Sequence, residues 1–128
     1  MKMLLDTHIL LWVLVCPKKL PGKALQFINQ VNSVFFSPVN WWEVGTKSSI
    51  WPEYGISRID ALHASALQSN LRELPVLSAD TILSTTLPPL HRDPIDRILI
   101  AQSHNNQCHL LTVDDKIAWY QMPNILLI

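Results

Sequence analysis

A chain of 128 residues, 48% hydrophobic and 16% charged, holds ample material for a core, which excludes an intrinsically disordered protein. Its formal net charge is zero, so composition lends no support to a protein that grips nucleic acid through a broadly basic surface. Cys16 and Cys108 lie far apart in no metal-type spacing, which reads as two reduced thiols of a cytoplasmic protein rather than a disulfide framework.

The first residues imitate a leader, with Lys2 ahead of a greasy stretch to Cys16. Asp6 and His8 interrupt that stretch, and "PKKLPGK" is no small-residue cleavage site. The unbroken apolar run, residues 9–16, is too short for a bilayer. A soluble protein with no membrane association is expected.

"KMLL" (2–5) reads as a short strand that stops at Asp6. "THILLWVLV" has helix length and almost no polar face, so it is buried on several sides or meets a second subunit. "ALQFINQV" carries apolar residues at 24, 25, 27, 28 and 31, a helical spacing. "SVFFSP" reads as a strand halted by Pro38, and "VNWWEVGTKSSI" as a helix starting near that proline. After the connector "WPEYG", a helix is expected over 57–71, with Ser57 as N-cap and Asp60 at capping-box spacing. "ELPVLS" is an extended piece, "ADTILSTTL" a short helix and "PPLHRDP" a rigid loop. A helix then runs to about Asn106, followed by the strand "CHLLTVD", the short helix "DKIAWY" and a last strand, "NILLI". Nothing reads as a repeat or a linker, so residues 1–128 form one expected domain.

Short apolar strands alternating with helices predict a three-layer α/β/α fold around a mostly parallel sheet. Sites in such sheets lie beyond the carboxyl ends of the strands. Asp6 directly follows the first strand and Asp114 follows "LLTV". Asp96 begins the helix before that strand, and Glu43 lies in the helix after the second. Four carboxylates from distant segments thus converge on one rim. Crowded carboxylates repel, and without a cation one or more must keep its proton. Mg²⁺ prefers oxygen ligands and retains waters, whereas an acid-only set disfavours zinc. Such an ion supports phosphodiester hydrolysis by polarising a phosphoryl oxygen and activating water. Each acid also has a plainer reading: Asp6, Asp93, Asp96, Asp114 and Asp115 as caps or turn residues, and Glu43 with Lys47 as an i,i+4 pair worth about 0.3–0.5 kcal/mol.

"LLDTHILLW", "NWWEVGTK", "LHRDPIDRILIAQ" and "LLTVDDKIAWY" occur in that order. Together they resemble the PIN-domain ribonuclease toxins of bacterial toxin–antitoxin pairs, the VapC type, over essentially the whole chain. The resemblance implies a PIN-like fold and assigns the family's acidic set to Asp6, Glu43, Asp96 and Asp114, as catalytic and metal-holding residues, with Asp93 an assisting neighbour. It implies endonucleolytic RNA cleavage with Mg²⁺ or Mn²⁺ and a small antitoxin partner, through which alone the pair meets promoter DNA. Two departures stand out: Ile95 where phenylalanine is frequent, and "SSIWPE" after Lys47 where glycine is frequent.

Thr7, Asn40 and Thr112 are auxiliary candidates near the rim, with a helix cap, an exposed helix position and a strand residue as the respective alternatives. Lys47, His91 and Arg92 are candidates for RNA phosphates, while a loop histidine also reads as simply solvated and Arg97 as a structural ion pair. His8 reads as a near-core residue. Trp12 and Trp119 read as packing, one of Trp41 and Trp42 as core, and Trp51 as an exposed base-stacking candidate. The greasy first helix and neutral composition suggest a homodimer. Two rival functions remain: a non-catalytic PIN-like module acting through an antitoxin or RNA, and a phosphoryl-transfer enzyme with an aspartate nucleophile. The second lacks an acid two residues after Asp6, where His8 stands.

Overall fold

The computed structural model describes residues 1–47, 54 and 56–128. Strand β1 (Lys2–Leu5) leads into α1 (Thr7–Leu14), a 3₁₀ turn (Pro17–Lys19) and α2 (Gly22–Gln30). Then come β2 (Ser33–Phe36), α3 (Pro38–Thr46), α4 (Ile59–Gln68), β3 (Arg72–Glu73) and α5 (Ser78–Thr86). Helix α6 (Pro94–Asn105), β4 (His109–Thr112), α7 (Asp115–Ala118) and β5 (Ile125–Leu127) complete the chain. The five strands form one sheet in the order β3-β2-β1-β4-β5, and every pairing is parallel. The sheet is thus wholly rather than mostly parallel.

Alternation along β1 sorts the core into two layers. Met3 and Leu5 join Ile9, Leu10, Ala24, Phe36, Ala66 and Leu111 on the side covered by α1, α2 and α4. Leu4 faces the other way, with Leu99, Ile100, Leu110 and Ile117 beneath α6 and α7. Both faces are covered, which is why the strands read as unbroken apolar runs. The same packing accounts for α1: Ile9, Leu10 and Leu11 are fully buried, and Trp12, Val13 and Leu14 pack on the first layer. Its first half is buried within the chain, while residues 12–16 remain half-buried.

The chain moves from β1 outward to β2 and β3, then returns to the other side of β1 with β4 and β5. The order reverses between β1 and β4, and a crevice opens outside their carboxyl ends. Asp6 and Asp114 flank that crevice.

Local chemistry sets the helix starts that face it. Ser37 Oγ accepts from the Val39 N–H and Asn40 Oδ1 from the Ser37 N–H, with Pro38 in the first turn. Asp93 Oδ1 accepts from the Ile95 N–H and opens α6, again with a proline next. The expected cap of α4 is corrected. That helix begins at Ile59 after Arg58, without a side-chain cap, because Asp60 pairs with the Arg58 guanidinium at 2.6 Å. No helix among the described residues is long and apolar enough to cross a membrane.

Candidate active site

A cleft of about 360 Å³ lies at the carboxyl edge of the sheet. Asp6, Glu43, Asp96 and Asp114 all line it, together with Thr7, His8, Lys47, His91, Asp93, Val113 and Lys116. Asn40 and Thr112 sit behind the wall, fully buried, and Arg92 is exposed outside it. Trp51 and the "SSIWPE" segment lie outside the described residues.

Asp6 is the best-anchored acid. It caps α1, with Oδ1 accepting from the Thr7 N–H at 2.7 Å. Oδ2 accepts from Thr112 Oγ1 at 2.7 Å, because the β1–β4 register sets Leu5 beside Leu111 and so the next residues side by side. Asn40 ties the floor together: its Nδ2 donates to Thr7 Oγ1 at 2.9 Å and to the Leu5 carbonyl at 3.4 Å. Asn40 is therefore not an exposed helix residue, and Thr112 orients a carboxylate.

Glu43 reaches the same space from the second turn of α3, and Asp96 from the first turn of α6. One carboxylate oxygen each from Asp6, Glu43 and Asp96 lies within 4.8 Å of the others. Asp114 belongs to an adjoining group, with ligand atoms of His91, Asp96 and Asp114 also within 4.8 Å of one another. The four acids and His91 thus form two overlapping triads that share Asp96. Asp114 also caps α7 through Oδ1, which accepts from the Lys116 N–H at 2.9 Å.

Charge in the cleft is unbalanced. Burial pushes the Asp6 carboxyl up to about 6, helped by Glu43 and Asp114 and opposed by the hydrogen bonds from Thr112 and Thr7. Burial, then the charges of Asp6, Glu43, Asp93 and Asp114, push Asp96 up to about 9. Lys47 is the basic group set among the acids. Its Nζ meets Glu43 Oε2 at 2.7 Å and also contacts Asp93 Oδ2. Burial would lower the Lys47 ammonium, but the bonds to Asp93 and Glu43 hold it well above its ordinary value. Burial would likewise raise Asp93, yet Lys47 and the Ile95 N–H keep it below the usual carboxylate range. Both Asp93 oxygens are therefore engaged.

His91 is only 8% exposed, not a solvated loop residue. Its Nε2 lies 2.8 Å from Asp96 Oδ2 and 3.0 Å from Asp114 Oδ2. Arg97 makes no ion pair with these acids. Its guanidinium donates to the carbonyls of Ser84, Leu87, Pro88 and His91 and to Tyr120 Oη. A single sequence shows no loop carbonyls, so this clamp left no trace in the residue pattern. Nor did the cleft residues His8 and Lys116 carry a signal beyond adjacency to Thr7 and Asp115. Trp42 is exposed while Trp41 stacks with Phe36 in the core, the expected division, but Trp119 is 53% exposed rather than packed.

The donor set fits a hard divalent cation. An octahedral Mg²⁺ with oxygens at about 2.1 Å spaces its ligand atoms by roughly 3–4 Å, compatible with the Asp6–Glu43–Asp96 group. Asp96, which keeps its proton at neutral pH without a cation, would give it up to one.

A parallel α/β sheet with buried carboxylates gathered at its switch point defines an acid-centred α/β domain. The chain belongs to the PIN-domain family, whose model matches residues 3–122. No match by sequence is found among curated proteins. The fold is similar to that of VapBC2 from Rickettsia felis bound to a DNA fragment from its promoter, with 15% identity, TM-score 0.67, and coverage of 100% of this chain and 98% of that one. It is also similar to a toxin–antitoxin complex from Klebsiella pneumoniae, at 17% identity and TM-score 0.65, over 97% of this chain and 95% of that one. FitAcB from Neisseria gonorrhoeae gives 15% identity and TM-score 0.61, over 92% and 91% respectively. At such identities the likeness carries the fold.

Proposed function

We propose that this chain is a divalent-metal-dependent endoribonuclease and the toxin of a toxin–antitoxin pair. The convergence of Asp6, Glu43 and Asp96, all buried and from three separate elements, carries this proposal. Such crowding is unfavourable in the absence of a cation, because desolvation and mutual repulsion both penalise ionised carboxylates. Membership of the PIN family supports nuclease chemistry. The structurally similar toxin–antitoxin complex from Klebsiella pneumoniae, with the VapBC2 assembly from Rickettsia felis, supports the pairing with an antitoxin.

Asp6, Glu43 and Asp96 would hold Mg²⁺ or Mn²⁺ directly, and Asp114 would complete the set from the adjoining triad. The ion supplies Lewis-acid polarisation of the phosphate and an acidified water. The chain's own groups do the rest. Thr112 and the Thr7 N–H fix the Asp6 carboxylate, and Asn40 fixes Thr7. Asp93 serves as the partner of Lys47 and the cap of α6 rather than as a ligand. Lys116, exposed on the cleft wall, and the exposed Arg92 next to His91 in sequence would supply positive charge for the RNA backbone. The exposed Trp42, Leu77 and Ile82 offer apolar surface for a protein partner, whether an antitoxin or a second copy in a homodimer. Promoter DNA would be met through the antitoxin.

The test is cleavage of structured and single-stranded RNA by the purified chain with Mg²⁺, with Mn²⁺ and with EDTA, alongside Asp6→Asn. Cleavage should need the metal, and the variant should fall to the EDTA level while remaining folded. Full activity in a pure Asp6→Asn preparation overturns the assignment. Absence of both cleavage and carboxylate-dependent Mg²⁺ binding would leave a non-catalytic interaction module.

A further inference from the structure

The Asp96–Asp114 side of the cleft is organised by a side chain that could itself be taken for a ligand. His91, Asp96 and Asp114 present three atoms at metal-binding separations. We propose that His91 is not a ligand but a positioning residue, whose Nε2–H holds the Asp114 carboxylate while the ring packs against Asp96, keeping both acids ready for an ion. This rests on the nuclease proposal for what the ion does, but not for how the ring is held.

The other ring nitrogen decides between the two roles. His91 Nδ1 lies 3.2 Å from the Asp93 backbone nitrogen, which has a hydrogen and can only donate. Nδ1 is therefore the bare acceptor, and the neutral ring carries its hydrogen on Nε2. That hydrogen is donated to Asp114 Oδ2, 3.0 Å from the nitrogen, while Asp96 Oδ2 lies beside the ring at 2.8 Å from the same nitrogen. Ligation through Nε2 would require that nitrogen to be bare as well. The ring would then either become an imidazolate or move its hydrogen to Nδ1, against the Asp93 N–H. Metal-bound histidines ordinarily donate from their second nitrogen; here the second nitrogen accepts.

The ring cannot easily turn to escape this. The His91 N–H donates to Tyr120 Oη at 3.2 Å and its carbonyl accepts from Arg97 Nη1 at 3.3 Å. Tyr120 Oη in turn donates to the Pro88 carbonyl at 2.7 Å and accepts from Arg97 Nη1 at 3.1 Å. Arg97 Nη2 holds the Ser84 and Leu87 carbonyls at 2.7 and 2.8 Å. Loop 87–91 is thereby pinned from both sides, and the ring with it.

The chemical benefit is specific to a neutral donor. A positively charged ring at this place would compete with the cation for the acids. A neutral Nε2–H fixes the Asp114 carboxylate and adds no positive charge. Each carboxylate oxygen has two lone pairs, so Oδ2 of both residues can still ligate. Lys47 does the opposite on the other side of the cleft, setting one positive charge against both Glu43 and Asp93.

The test combines ring ¹⁵N spectroscopy on the wild-type chain with Mg²⁺ calorimetry on variants. The His91 signals are assigned by their loss in His91→Gln. Without metal, Nε2 should be protonated and Nδ1 bare, and saturating Mg²⁺ should leave that pattern unchanged. His91→Gln, whose amide can supply a similar donor, should bind Mg²⁺ within about threefold of wild type, and His91→Leu about tenfold or more weakly. Loss of the Nε2 proton on adding Mg²⁺, a proton on Nδ1, or wild-type affinity in His91→Leu would each overturn the proposal. If the wild-type chain binds no Mg²⁺, the nuclease proposal falls. The ring pattern without metal then decides alone: protonated Nε2 with bare Nδ1 supports His91 as the residue that positions Asp114, and any other pattern overturns it.

Discussion

Thr112 Oγ1 donates to Asp6 Oδ2 at 2.7 Å across 106 positions of sequence. Asp6 stands just beyond the end of β1 and Thr112 is the last residue of the adjacent parallel strand β4, and their contact fixes how the first acid faces the cleft. It also stabilises the ionised form of Asp6, which burial disfavours.

Thr112→Val keeps the shape and removes the donor. The Asp6 carboxyl should then rise above its value of about 6, so that more of it is protonated at neutral pH. Mg²⁺ must displace that proton, and affinity at pH 7 should fall roughly 10-fold or more, in the range seen when a partner of a metal ligand is removed. The deficit should narrow between about pH 6.5 and 8.5, as Asp6 ionises in both proteins. Calorimetry across that interval checks it, and Thr112→Ser should restore binding. An equal deficit at every pH would mean that Thr112 acts on the position of Asp6 alone.

Stability without metal should fall as pH rises. The folded chain holds Asp6 up to about 6 and Asp96 up to about 9, both above the unfolded value near 3.8. Below about pH 4 both groups are protonated in either state. From there to about pH 9 the unfolded state releases protons that the folded state retains, so each step upward favours unfolding. For Asp6 alone the rise from 3.8 to about 6 corresponds to about 3 kcal/mol. Asp93, held low by Lys47, acts in the opposite sense only below its unfolded value. Urea denaturation in EDTA should show declining stability from pH 5 to 9, and saturating Mg²⁺ should raise stability most at the alkaline end. A flat profile in EDTA would mean that the cleft tolerates its acids without protons or ions.

The four acids were legible because a parallel sheet puts its site at the strand ends: Asp6, Asp96 and Asp114 sit where a short apolar run stops or a helix begins, and Glu43 lies in the second turn of the helix after β2. Their partners were not. The Thr112–Asp6 contact depends on the order β1-β4, which local patterning does not reveal. Asn40 resembles any polar helix residue until Thr7 and Leu5 are seen beside it. The cap expected at Ser57 failed because Arg58 competes for Asp60 with two hydrogen bonds, a stronger claim than a backbone amide. His91 and Arg97 were hidden for a related reason: both act largely on backbone groups and on residues brought close by the loop before α6.

Arg97→Lys isolates that loop. A guanidinium donates in several directions at fixed angles, whereas an ammonium offers three hydrogens from one point. Arg97 Nη1 and Nη2 reach four carbonyls and one hydroxyl, between 2.7 and 3.3 Å, and lysine cannot serve them all. Carbonyls of Ser84 and Leu87 would lose their charged donor, and the variant should be destabilised by about 2–4 kcal/mol. The thermal midpoint should drop by roughly 10 °C. Amide exchange should accelerate in residues 87–93 before it does in β1 or β4, because the clamp acts on the loop and not on the sheet. Faster exchange spread evenly over the chain would instead make Arg97 a general contributor to the core. If the loop alone loosens, Mg²⁺ affinity should fall with it, since the ring that holds Asp114 beside Asp96 hangs from that loop.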